Sequence, residues 1–130
     1  MSARVPRIPL DYDPTSERST VRALTDALDV LDRHVRFALK LYASKSDDLY
    51  AIAEQVRGQA RFILRRVKQA KGFSHTRLMR ERAERAIAVL SFLTEYGPYV
   101  HGSGVLGRRT PIAEIESVSA GGLPGLGRRR

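Results

Sequence analysis

Between Val21 and Tyr42 the apolar side chains fall at Val21, Leu24, Leu28, Leu31, Val35, Ala38 and Tyr42, alternately three and four positions apart. That rhythm predicts one stripe of an α-helix. A second set, Ala23, Ala27, Val30, Phe37 and Leu41, keeps the same spacing, with His34 filling its gap. At about 100° per residue the two stripes lie roughly 110° apart, so this helix faces two neighbours at once. A helix with two dry faces is the corner of a bundle.

Two further periodic stretches follow. Leu49, Ala53, Val56, Ala60, Ile63, Val67 and Ala70 make a seam whose alanines permit close approach of a partner helix. Met79, Ala83, Ala86, Leu90 and Leu93 make a third, charged outside its seam in the first half and apolar almost all round in the second. The expected fold is all-α, a three-helix antiparallel bundle with helices at about 14–43, 47–71 and 75–96. Asp13-Pro14 is the expected start of the first helix and Ser46 the N-cap of the second. Ser74 is the N-cap expected for the third, with Phe73 and Leu78 as a hydrophobic staple. Gly72 and Gly97-Pro98 are the expected stops.

The ends of the chain read differently. Pro6 and Pro9 hold residues 1–13 extended, with Val5, Ile8, Leu10 and Tyr12 free to lie along a surface. Residues 14–98 form the bundle, and 99–130 a glycine- and arginine-containing tail, read as a tether that adds little to the bundle. Its aliphatics Ile112, Ile115 and Val118 suit a neighbour's groove, and Arg108, Arg109, Arg128, Arg129 and Arg130 suit acidic protein or nucleic acid. The glycine spacing of Gly102, Gly104 and Gly107 resembles a phosphate-binding loop. However, Arg108 and Arg109 replace its lysine and hydroxyl residue, and it follows a helix rather than a strand. It reads as a linker.

Charge adds a direction. The chain of 130 residues carries a formal +9. Residues 1–56 hold eight Lys/Arg against nine Asp/Glu, and residues 57–130 hold fifteen against five. Such a balance favours acidic or polyanionic partners. Arg57, Arg61, Arg65 and Lys68 fall on one face of the second helix, and Lys71, His75, Arg77 and Arg80 continue the face across the turn. A face of this kind can contact several phosphates. No sequence-reading motif accompanies it. Phe62, Phe92 and Tyr96 lie outside the seams and suggest a contact surface.

Candidate chemistry changes the picture little. Cysteine is absent, and His34, His75 and His101 stand apart with no carboxylate at ligand spacing. No nucleophile with its base is visible. The expectation is a soluble, non-enzymatic chain without metal, cofactor, membrane span or targeting segment.

The opening PRIPLDYDPTSERSTVRALTDALDVLDR, with its Pro-rich lead, DP cap and ALxxAL-like helix, resembles the starts of small structural proteins of tailed-bacteriophage virions. The resemblance covers about the first 33 residues and carries over no functional residues. It implies a multi-copy head, neck or tail component, located in the virion, whose arms bind neighbouring subunits in a homo-oligomer or hetero-complex. The alternative is a cytoplasmic nucleic-acid-binding or ribosome-type protein that uses the Arg stripe and the Arg tail on phosphates.

Overall fold

Ser16, in extended conformation, caps the first helix by accepting the Ser19 N–H on its hydroxyl at 3.1 Å. From there α1 runs Glu17–Ala43, α2 Leu49–Gln69 and α3 Thr76–Ser103. The computed structural model describes residues 4–103, and among them there is no strand. The positions named in the tail, Arg108, Arg109, Ile112, Ile115, Val118, Arg128, Arg129 and Arg130, lie outside the described residues.

All three seams are buried as expected, from Leu24 to Tyr42, Leu49 to Ala70 and Met79 to Leu93; Val21 alone is only partly covered. Leu39 and Ile52 join this core from outside the seams. The α2–α3 interface is the largest of the three. Ala53, Ala60, Ala83 and Ala86 are fully buried and keep side-chain bulk low in the core. Two short connections give an up-down-up bundle. α1 and α3 run the same way, as their contacts climb together through Glu17–Ser74, Thr25–Met79 and Asp32–Arg82.

The helix ends differ from expectation in detail. Asp13 does not cap α1. Its carboxylate takes the Thr15 N–H and hydroxyl at 3.0 and 2.7 Å and closes a turn ahead of the helix, leaving the cap to Ser16. Ser46 likewise closes a turn, accepting the Asp48 N–H at 3.1 Å, while Asp48 stands at the start of α2 without a side-chain cap bond. Ser74 gives its own N–H to Glu17 instead of capping α3, and Leu78 is well exposed, so it makes no buried staple. α3 continues through Gly97-Pro98. Pro98 has no N–H to give the Thr94 carbonyl, so the helix runs on without that ladder bond.

Left-handed residues shape both connections. α1 closes with paired bonds from Lys45 N–H to the Tyr42 carbonyl and from Ser46 N–H to the Leu41 carbonyl. This is a Schellman ending in which Lys45, at φ 57°, holds the position glycine usually takes. Gly72, at φ 95°, takes the expected left-handed position within the turn that Phe73 N–H closes on the Ala70 carbonyl.

The N-terminal arm lies on its own bundle. Val5 N–H donates to Gln55 Oε1 at 2.9 Å, and the Pro6 carbonyl accepts from Gln59 Nε2 at 2.8 Å. Val5, Ile8 and Leu10 pack against the core.

Candidate functional site

α2 owes its basic character to what it omits: from Gln55 to Gln69 it has no carboxylate. The core takes Val56, Ala60, Ile63 and Val67, so the intervening cations must stand to the side or outward. Arg61, Arg65 and Lys68 are exposed. Arg57 is not part of that open face. Its side chain is 14% exposed, bonds Glu54 Oε2 at 2.8 Å and reaches Ser91 Oγ on α3 at 3.4 Å. Helical spacing alone groups Arg57 with the stripe, but α3 covers that edge and Glu54 neutralises it.

At the α2–α3 corner the basic face becomes concave. A cleft of about 310 Å³ is lined by Val67, Lys68, Lys71, Thr76, Arg77 and Arg80. Arg77 touches Glu81 at 3.6 Å, but at 85% exposure such a pair is weak and leaves the guanidinium available. Arg61, Arg65, Lys68, Lys71 and Arg80 form no ion pair among the described residues. The cleft's shape is fixed from outside. Glu17 of α1 accepts the Ser74 N–H at 2.7 Å and so holds the turn between the two basic helix ends. That bond keeps the Glu17 carboxyl below its ordinary 4.5, with a smaller contribution from His75. Thr76 begins α3 here, and the free N–H groups of a helix start favour an anion beside these cations.

Beside the cations lies an aromatic feature that spacing did not reveal. Arg65 and Arg66 stand 5.8 and 5.3 Å from the Phe62 ring centre, and Arg66 also stands 6.0 Å from the Tyr12 ring of the arm. Phe62 remains 39% exposed. Between arm and helix is a second cavity, about 260 Å³, walled by Ile8, Leu10, Gly58, Gln59, Phe62 and Ile63, with Arg7 also in its lining. Phe92, grouped with Phe62 in the sequence, instead packs against the core.

The acidic residues of α1 are not a plain solvated surface. Arg82 of α3 bonds Asp32 at 2.9 Å and Asp29 at 3.1 Å. Burial pushes the Asp32 carboxyl above its ordinary 3.8, and the neighbouring Arg82 offsets only part of that. This pairing joins helices and belongs to the fold. His34 is bonded to Gln59. Among the described residues no three metal-ligating side chains come together, and no helix is long and apolar enough to cross a membrane.

Comparison with protein-family models found no match, and neither the curated proteins nor the solved structures gave one.

Proposed function

We propose that the chain is a non-catalytic structural protein of a larger assembly that seats its basic α2 face and α2–α3 corner against nucleic-acid phosphates. One observation carries this reading: Lys68, Lys71 and Arg80 line one concave corner without an ion pair among the described residues, and Arg61 and Arg65 stand exposed further back along the same helix. Counter-ions held near such an edge are released when phosphate replaces them, which gives sequence-independent affinity that falls with salt. The rigid bundle behind the edge keeps the cations at fixed spacing.

The test is titration of the full chain with labelled duplex and single-stranded DNA over a range of salt. Binding should weaken steeply as salt rises. Changing Arg61, Arg65, Lys68 and Arg80 together to Gln should flatten the log–log slope by about three to four units. Absence of binding at low salt, or an unchanged slope, overturns the reading.

A second reading, assembly through protein contacts alone, draws on Tyr50 and Leu78, large apolar side chains 53% and 57% exposed. Its expected N-terminal hook is engaged within the chain, through Gln55 and Gln59. The virion setting rests on the resemblance of the opening residues and stands as part of the proposal.

A further inference from the structure

We infer that the cavity between the N-terminal arm and α2 is a pocket for one unstacked base of a single-stranded nucleic acid, with Arg61 and Arg65 holding the flanking phosphates. The inference rests on the phosphate-binding reading above and adds which form of nucleic acid is preferred and why.

Gly58 is the first indication. It sits in the middle of α2, where glycine costs roughly 0.5–1 kcal/mol relative to alanine. Its φ is not left-handed, and a Cβ built there would meet nothing within 4 Å. Packing therefore does not account for it. What its missing side chain does is leave one wall of the cavity open.

The lining suits a base. Ile8, Leu10 and the 39% exposed Phe62 ring offer apolar and π surface, with Arg65 and Arg66 standing 5.8 and 5.3 Å from that ring's centre. Gln59 supplies polarity: its Nε2 donates to the Pro6 carbonyl and its Oε1 faces His34, each at 2.8 Å. That leaves one N–H and one lone pair of the amide without a bond to the protein, one donor and one acceptor of the kinds a base edge pairs with. The volume of about 260 Å³ sits just below the usual small-molecule range, which suits a single planar ring system rather than a longer ligand.

Charge decides the class of guest. Gly58, Phe62 and Arg65 succeed one another at helical spacing on the outward side of α2, with Arg61 beside them and Arg7 at the cavity. An apolar peptide entering there would leave these cations uncompensated. A nucleotide brings its own negative charge on both sides of the base. In a duplex the bases are stacked and paired, so only a single strand offers one without the cost of unstacking.

The experiment uses the full chain with an oligothymidine strand and a mixed-sequence single strand, each compared with a duplex of equal length at one moderate salt concentration. Gly58→Leu adds bulk at the cavity wall, where a Cβ meets nothing within 4 Å, and circular dichroism checks that its helicity is intact. The wild type should prefer single strand, and Gly58→Leu should lose roughly tenfold in single-strand affinity, as for one lost stacking contact, with duplex affinity and salt slope unchanged. Phe62→Ala should act in the same direction. If both variants bind single strand like the wild type while the Gln variants still flatten the salt slope, the pocket is overturned and the phosphate face stands. Equal weakening on duplex and single strand also overturns the pocket. No binding of either form by the wild type overturns both readings. A change of oligomeric state in Gly58→Leu without nucleic acid assigns the cavity to a second copy and overturns the base pocket.

Discussion

His34 Nδ1 and Gln59 Oε1 lie 2.8 Å apart, and the hydrogen between them belongs to the histidine. The Pro6 carbonyl can only accept, so the Gln59 NH2 must face it, which turns Oε1 toward the ring. One glutamine thus links α1, α2 and the arm. Gln59→Leu should cost about 1 kcal/mol, because it strands the Pro6 carbonyl and the His34 N–H. The clearer readout is proteolysis: trypsin should cut after Arg7 faster in the variant while helicity stays constant. Unchanged cleavage would mean the arm is held by its apolar side chains alone.

Leu31 is fully buried at the centre of the α1 seam. Leu31→Ala should destabilise the protein by about 2–5 kcal/mol in chemical denaturation. Leu31→Asp should leave it unfolded, since an isolated carboxylate has no partner there. A normal melting curve for the aspartate variant contradicts the observed packing.

Lys45 occupies a left-handed position without the freedom of glycine. Lys45→Gly should therefore stabilise the protein, by about 1 kcal/mol, as the strain of a Cβ in that conformation is removed. Thermal melting should show a rise of several degrees. A fall would mean the lysine side chain makes a compensating contact.

Two carboxylates should pull stability in opposite directions with pH. Glu17 is held below 4.5 by the Ser74 N–H, so its stabilisation is present above that value and is lost as pH falls through the lower, folded one. Asp32 is raised above 3.8 by burial. The folded chain binds its proton more tightly than the unfolded chain, so its contribution is full below 3.8 and is lost as pH rises through the folded value. Denaturation between about pH 3 and 7 should show Glu17→Gln with a shallower acid decline than wild type. The advantage of wild type over Asp32→Asn should shrink as pH rises. The reverse trend for Asp32 would mean that Arg82 outweighs burial.

The seams were legible because burial repeats: each apolar residue is one of many that agree on the same face. Caps do not repeat. Asp13, Thr15 and Ser16 all carry oxygens able to take a backbone N–H, and their order alone does not say that Asp13 closes a turn and Ser16 starts the helix. The end of α1 at Ala43 was legible in the break of the apolar pattern, but not its left-handed closing residue, since the usual signal there is glycine and Lys45 stands in its place. Within the site, spacing placed Arg61, Arg65 and Lys68 on one face, but which neighbour covers the edge at Arg57 depends on where α3 docks. The cavity under the arm was illegible for a like reason. Gly58 and Ile8 are fifty positions apart, and no local pattern joins them.

The two-sided apolar pattern of α1 also bears on how the chain is made. At about 5–20 residues per second α1 is made before α2 and α3, the two helices that pack on its core seam. Leu24, Leu28 and Leu31 therefore stay uncovered until α2 and α3 have emerged. α2 emerges before α3, and the interface between those two is the largest in the fold. The nascent protein is a sticky amphipathic helix before it is a bundle. Uncovered apolar stripes of this kind are where nascent chains meet chaperones and aggregate, so the vulnerable stage expected for this protein precedes the finished fold.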